Sequence, residues 1–151
     1  MRKLWRLGFL ASHRGSNMQA ILDACASGRI NAEPALVISH NRDAVALQRA
    51  AAAGVPALHL GAGEFPDAQA LDQAIARAMK QYAVDLVILA GYMKRVGPLT
   101  LAAFSNRVIN IHPGLLPRYG GKGMYGGRVH AAVVAAGEKE TGITVHLVDG
   151  E

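Results

Sequence analysis

A nearly unbroken apolar run occupies positions 84 to 90, Val84-Asp85-Leu86-Val87-Ile88-Leu89-Ala90. Strands buried on both faces of a parallel sheet have this continuous apolar character, whereas half-exposed strands alternate apolar and polar residues. The run therefore predicts a central parallel strand. Shorter apolar runs predict strands at 7–11, 35–39, 55–60 and 108–111, and an alternating pattern predicts one at 141–148.

Helical segments fall between the predicted strands. The clearest spans 67–82, because Leu71, Ile75 and Met79 recur at every fourth position and share one helix face. Further helices are predicted at 16–27, 43–53, 98–104 and 128–136, the first of them capped by Ser16. Strands that alternate with helices through short connections form βαβ units. We therefore expect a doubly wound α/β fold, with a mainly parallel sheet and helices on both faces.

The composition limits the class of protein. A length of 151 residues suffices for one domain with a real core, and we expect a single domain over 1–151. Hydrophobic residues make up 51% and charged residues 18%, which excludes an intrinsically disordered chain. The net charge of +5 favours phosphate-bearing or acidic small molecules, and an aromatic content of 5% argues against a base-stacking surface. We expect no nucleic-acid partner.

Cysteine usage and hydropathy bear on the compartment. The single cysteine, Cys25, permits no intrachain disulfide and is typical of a reducing compartment. No run reaches the eighteen or so apolar residues that a bilayer span needs. We expect a cytoplasmic protein without a membrane partner. The histidines lack His-x-x-x-His spacing and no cysteine pair accompanies them, so we predict no metal site.

The loop after the first predicted strand opens a helix. It reads Ser12-His13-Arg14-Gly15-Ser16-Asn17 and places a glycine turn at the amino end of that helix. Free N–H groups and the positive end of the helix dipole favour phosphate there, so Gly15, Ser16 and Asn17 are candidate substrate-binding residues. The alternative is that Gly15 only turns the chain and Ser16 only caps the helix.

The loop after the central strand carries positive charge. It reads Gly91-Tyr92-Met93-Lys94-Arg95-Val96-Gly97. Its first glycine allows close approach of a ligand, and Lys94 and Arg95 lie at the sheet edge where ligands bind in this architecture. The alternative is a polar surface loop with solvated cations.

A polar pair interrupts the fifth predicted strand. Asn110 and His112 are two residues apart, so both face the same side of an extended segment. An amide can donate to an oxyanion, and an imidazole can hold or pass a proton near neutral pH, which makes both candidate catalytic residues. Pro113 and Pro117 stiffen the exit of the strand.

The chain resembles the folate-dependent formyltransferases in three strings, Asn110-Ile111-His112-Pro113-Gly114-Leu115-Leu116-Pro117, Gly15-Ser16-Asn17 and Ala90-Gly91-Tyr92-Met93. The resemblance covers essentially the whole chain and implies a Rossmann-like formyltransferase fold. It also implies an activity: transfer of a formyl group to the amine of 5'-phosphoribosylglycinamide in purine biosynthesis, with 10-formyltetrahydrofolate as the formyl-donor co-substrate.

The same resemblance implies roles for individual residues. Asn110 would donate a hydrogen bond to the oxygen of a tetrahedral intermediate, and His112, as an imidazolium, would stabilise that oxygen and transfer a proton. The loop Gly15-Ser16-Asn17 would bind the substrate phosphate. The folate would be bound by Met93, Lys94, Arg95, Val96 and Asn110.

The chain departs from the family pattern at several positions. Gly114 stands where a small or hydroxyl residue is usual. Ala68, or a position close to it, stands where some members have a basic residue for the glutamate tail of the folate, a role that Lys94 or Arg95 could take over. The glycine-rich loop at 119–127 resembles a variant found within the family.

A further departure concerns an aspartate that members carry in an Asp-x-Gly context after the strand with His146. A nearby carboxylate raises the pKa of the catalytic histidine, since negative charge favours the imidazolium. Counted from His146, this position falls beyond Glu151, and Asp149 comes too early. We therefore expect the domain to lack its C-terminal part and these 151 residues to be severely impaired in turnover.

Other functions stay open on the sequence alone. A formyltetrahydrofolate hydrolase shares the Asn-x-His chemistry but uses water and has no nucleotide phosphate to bind. A formyltransferase acting on initiator tRNA is disfavoured, because no tRNA-binding domain follows. A non-catalytic α/β module that binds a phosphate ligand is the alternative from another class. For any of these we expect a monomer or a homodimer.

Overall fold

The computed structural model describes residues 4–112 and 144–148. In chain order its strands and helices are β1 (Trp5–Leu10), α1 (Ser16–Ala26), β2 (Ala32–Ser39), α2 (Val45–Ala52), β3 (Ala57–His59), α3 (Ala68–Gln81), β4 (Leu86–Leu89), α4 (Pro98–Ala103), β5 (Val108–His112) and β6 (Thr144–Leu147). A short 3-10 helix, Ala62–Glu64, precedes α3. Within the described ranges, no helix combines the length and the apolar character that a membrane span requires. The helix predicted at 128–136 lies outside them.

The strands form one six-stranded sheet in the order β3-β2-β1-β4-β5-β6. Neighbouring strands from β3 to β5 are parallel, and β6 pairs antiparallel with β5. The chain runs outward from β1 to β3 and returns to the other side of β1 with β4, so the strand order reverses between β1 and β4. In open α/β sheets, ligands bind at the carboxyl ends of the strands beside such a point. The predicted doubly wound, mainly parallel sheet is confirmed.

Helices cover both faces of the sheet, as predicted. Alternate residues of β1 face opposite sides, so Phe9 belongs to the core under α1 and α2 and Leu10 to the core under α3 and α4. The helices complete the cores with Met18, Leu22, Ala46 and Ala50 on the first side and with Ile75, Ala78, Met79 and Phe104 on the second. Each fully buried Leu or Phe stabilises the fold by about 1.5–3 kcal/mol. The two cores therefore hold the strand ends in fixed positions.

The start of α1 differs from the prediction. Ser16 is the first helical residue rather than the cap, and Gly15 occupies the capping position with a φ of 67°. Glycine adopts this left-handed conformation at little cost. A side chain at Gly15 would also approach the Cβ atom of Ala46 on α2 to 2.9 Å. The prediction that Ser16 caps the helix was therefore wrong, because the tight turn onto α2 needs the glycine at that position.

Some strand boundaries also differ. β2 begins at Ala32 rather than at Ala35, and its pairing with β1 is irregular where Leu7 lies opposite Pro34. Proline has no N–H to donate to a neighbouring strand, which accounts for the irregular register. The third strand is shorter than predicted, because Pro56 falls within the predicted range and β3 begins only after it.

Candidate active site

The loops that follow β1 and β4 meet where the strand order reverses. Ser12, two residues beyond the end of β1, is fully buried. Its hydroxyl oxygen accepts a hydrogen bond from the backbone N–H of Met93 at 2.7 Å. The two residues are 81 positions apart in the chain. This bond therefore joins the loop that starts at His13 to the loop 91–97.

His40 follows β2 at the same edge of the sheet. Its Nε2 atom lies 2.9 Å from the Ser12 hydroxyl oxygen, and its ring meets the ring of Tyr92 edge-on, with centroids 6.0 Å apart. The Nε2 atom of His59, on β3, lies 3.1 Å from the His40 carbonyl oxygen, and the other ring nitrogen pairs with the Glu64 carboxylate. Side chains thus link the ends of three neighbouring strands.

The surroundings of His40 favour its neutral form. Burial lowers the pKa of His40 below its ordinary value of 6.5, and the charges of Lys94, His13 and His59 lower the pKa further. A neutral ring with its proton on Nδ1 can accept the hydroxyl proton of Ser12 at Nε2. The Ser12 oxygen then keeps its lone pairs for the N–H of the neighbouring loop.

A cavity of about 780 Å³ opens beside these side chains, between α3 and the loop 91–97. Leu71 and Ile75 of α3 and Val96 of the loop give it an apolar wall. The exposed cations Lys94 and Arg95 also belong to its lining. A cleft of this size, mostly apolar with a few charged groups, is typical of sites for small organic ligands. Its lining suits a ligand with an apolar body and an anionic end.

Asp72 of α3 holds the far end of this loop. Its carboxylate is buried and accepts hydrogen bonds from the backbone N–H groups of Leu99 at 2.8 Å and Thr100 at 3.0 Å, and from the Thr100 hydroxyl at 2.6 Å. Both residues lie in the first turn of α4, where helical N–H groups have no partner within the helix. Any side chain at Gly97 would overlap the carboxylate, so only glycine fits there. The loop is thus held at both ends by side chains of other elements.

Tyr92 contributes a phenol to the cavity. Burial raises the pKa of Tyr92 above its ordinary value of 10.0, and the Asp72 carboxylate raises it further. The phenol is therefore protonated at neutral pH and can donate a hydrogen bond to a ligand.

The predicted phosphate loop lies at the same edge of the sheet. The first hydrogen bond of α1 runs from the N–H of Gln19 to the carbonyl of Gly15 at 2.8 Å, so the helix supplies no partner for the N–H groups of Ser16 and Asn17. The side chain of the preceding Arg14 is exposed. These N–H groups and the helix dipole together favour an anion.

Asn110 lies on β5 opposite His146 of β6, and both are partly buried. The amide nitrogen of Asn110 donates to His146 Nε2 at 3.2 Å, and His146 Nδ1 donates to the carbonyl of Leu147 at 3.1 Å. An amide nitrogen carries two N–H groups, so one can serve His146 and the other a ligand. His112 ends β5, where its backbone pairs with Thr144. The side chain of His112 and the predicted loop 119–127 lie outside the described residues.

The structure brings together part of the predicted site. Lys94, Arg95 and Val96 line the cavity, and Ala68 lies in the same lining. Met93 and Asn110 fall outside its described lining; Met93 contacts the site through its backbone. The residues that the sequence analysis did not select as site residues are Ser12, His40, Asp72 and Tyr92. His40 directly follows a predicted strand, which was the signal available to find it.

The described residues include no group of His, Cys, Asp and Glu side chains arranged to hold a metal ion.

Comparison with known proteins identifies the family. The model of the formyl transferase family matches residues 5–151. The phosphoribosylglycinamide formyltransferase of Haemophilus influenzae is 40% identical over 97% of this chain and 66% of its own length. The enzyme of the same name from Escherichia coli is 37% identical over 94% of this chain and 65% of its own length. Among solved structures, glycinamide ribonucleotide transformylase 1 from Symbiobacterium toebii has a TM-score of 0.89 and 44% identity, over 98% of this chain and 68% of that one.

A doubly wound sheet with polar side chains gathered where its strand order reverses is typical of α/β proteins that bind ligands. Within that class, the chain belongs to the formyl transferase family. It spans about two thirds of the length of the two curated relatives described above.

Proposed function

We propose that this protein transfers the formyl group of 10-formyltetrahydrofolate to the amine of 5'-phosphoribosylglycinamide. One observation carries the proposal: the start of α1, which suits a phosphate, and the cavity beside α3 open at one sheet edge and are joined by the bond between Ser12 and Met93. Membership of the formyl transferase family and relatives that are phosphoribosylglycinamide formyltransferases support this reaction.

The acceptor would bind through its phosphate at the start of α1. The N–H groups of Gly15, Ser16 and Asn17 and the positive end of the helix dipole would hold it, and the nearby Arg14 adds charge of the right sign. The left-handed turn at Gly15 supports this role, because it exposes successive N–H groups on one side.

The folate donor would occupy the cavity. Met93, Lys94, Arg95 and Val96 would contact it, with backbone groups of the loop reading the polar edge of the pterin. The cations Lys94 and Arg95 would attract the carboxylates of the glutamate tail, a role that the neutral Ala68 in the same lining cannot perform.

The reaction itself would take place beside the end of β5. The acceptor amine attacks the formyl carbon, and the carbonyl electrons move to oxygen to form a tetrahedral intermediate. Asn110 donates a hydrogen bond to that oxyanion, and His112, as an imidazolium, stabilises it. The intermediate then collapses, the bond from carbon to the folate nitrogen breaks, and that nitrogen receives a proton through His112 while the amine loses one.

The test is the loss of formyl from 10-formyltetrahydrofolate with and without glycinamide ribonucleotide. We expect the acceptor to accelerate this loss by about tenfold or more, because a bound amine replaces a random encounter. The formyl group should appear on the acceptor. Both rates come from the same chain, so a slow absolute turnover does not obscure their ratio.

Ribose 5-phosphate is the matched control, since it carries the phosphate but no amine. It should slow the transfer by competing with the acceptor. Release of formate at one rate, whether or not the acceptor is present, would instead indicate a formyltetrahydrofolate hydrolase.

A further inference from the structure

We propose that Ser12 is a positioning residue that couples two half-sites, the phosphate site at Gly15–Asn17 and the cavity beside α3. A phosphate ligand on Gly15–Asn17 would thereby restrain the loop 91–97 at Met93. The inference rests on the proposed function for the identity of the two half-sites. It adds a residue that touches neither substrate and acts by setting the spacing between them.

The position of Ser12 in the chain makes it a direct connection. It immediately precedes the loop His13–Asn17, and its hydroxyl oxygen lies 2.7 Å from the Met93 backbone nitrogen across the reversal in strand order. The side chain has no exposed surface, so water does not compete for this hydroxyl. A polar group buried in this way is costly to leave without a partner.

The other contacts of Ser12 and of the phosphate loop restrict how the loop can respond. The backbone N–H of Ala46 on α2 donates to the carbonyl of His13 at 2.9 Å, so α2 also restrains this loop. His40 Nε2, 2.9 Å from the hydroxyl oxygen, orients Ser12 towards Met93. Restraint of the loop His13–Asn17 by a bound phosphate therefore has a direct route to the loop 91–97 through the Ser12 hydroxyl.

In the proposed reaction, this coupling would set the distance between the two reacting groups. Formyl transfer needs the amine and the formyl carbon at about 3–3.5 Å, and small errors in spacing lower the rate strongly. A link between the two loops makes that spacing depend on both half-sites being occupied. By linkage, occupation of the donor cavity must favour phosphate binding by the same factor.

The test is amide hydrogen exchange at Met93, measured by NMR with and without ribose 5-phosphate. In the parent chain we expect the sugar phosphate to slow exchange of this N–H by about 2–12-fold, the range that corresponds to one net hydrogen bond. In Ser12→Ala the exchange rate should no longer respond to the ligand, although the amides of Gly15–Asn17 still shift. A purely structural serine would lower stability without removing that response.

Ser39→Ala is the matched control. Ser39 also has no exposed surface and ends the neighbouring strand β2, but its hydroxyl accepts from the N–H of Asn41 at 3.1 Å, within its own loop. This variant should keep the full response at Met93. If Ser12→Ala does not fold, Ser12→Cys keeps the volume with a weaker hydrogen bond and should show a reduced response.

The outcomes separate this inference from the proposed function. Ligand-induced shifts at Gly15–Asn17 without a change in exchange at Met93 would overturn the coupling and leave the phosphate site standing. A response that survives in Ser12→Ala would overturn the role of Ser12. If the amide signals of Gly15–Asn17 do not shift at all, the result would contradict the acceptor site of the proposed function. It would then contradict the coupling as well.

Discussion

Replacing Asn110 by alanine is expected to lower the rate of formyl transfer by about 10²–10³, the usual effect of removing one donor to an oxyanion. Asn110 is partly buried on β5, and its amide is oriented by the hydrogen bond to His146. In the proposed mechanism, the substitution removes a donor that is held in place for the transition state. The rate is measured with both substrates at saturation, beside the parent chain of the same length, and thermal unfolding checks that the fold is kept.

Gln48→Ala is the control for this substitution. It removes a side-chain amide from an exposed position on α2, on the helix layer opposite the cavity, and should leave the rate unchanged. His112→Ala should abolish turnover while ribose 5-phosphate still binds, which distinguishes an enzyme from a non-catalytic binding module. An Asn110→Ala chain that transfers formyl within about threefold of the parent rate would contradict the role assigned to the amide.

Replacing Asp72 by alanine is expected to lower the free energy of unfolding by about 3 kcal/mol or more. The substitution removes three hydrogen bonds to a charged acceptor, and the N–H groups of Leu99 and Thr100 lose the carboxylate that accepts from them. Thr100 is itself buried, so water cannot readily replace the carboxylate. For a domain of this size the loss corresponds to a fall in Tm of roughly 6–12 °C. Urea and thermal denaturation measure both quantities.

Asp67→Ala is the comparison for Asp72. The Asp67 carboxylate caps α3 through one exposed hydrogen bond, from the N–H of Ala70 at 2.8 Å. Loss of such a cap costs about 1 kcal/mol. Equal losses in the two variants would mean that burial of the Asp72 carboxylate adds nothing to the fold, against the role we give it at the start of α4.

The fold was predictable because burial of each element is encoded locally. The apolar spacing of α3 selects Ile75 and Met79, and both are buried. The same spacing gave no sign that Asp72 is buried next to the less buried Leu71. The reason for that burial lies in backbone N–H groups 27 and 28 residues further along the chain, and helical periodicity carries no information about such a partner.

The candidate site was predictable only in part. The rule that ligands bind after parallel strands leads to Lys94 and Arg95, and applied to β2 it would also have selected His40. The contact between Ser12 and Met93 depends instead on which strands become neighbours. That order reverses between β1 and β4, and it is set by how the whole chain packs rather than by any local pattern.

We expect both substrates to meet at the carboxyl edge of β1, β4 and β5. A crystal structure with glycinamide ribonucleotide and tetrahydrofolate, which has no formyl group to transfer, tests it most directly. We predict the phosphate on the backbone of Gly15–Asn17, the folate in the cavity beside Val96, and the Asn110 amide directed at the space between amine and folate nitrogen. A folate bound away from this cavity, or an Asn110 amide turned away from both ligands, would contradict the claim.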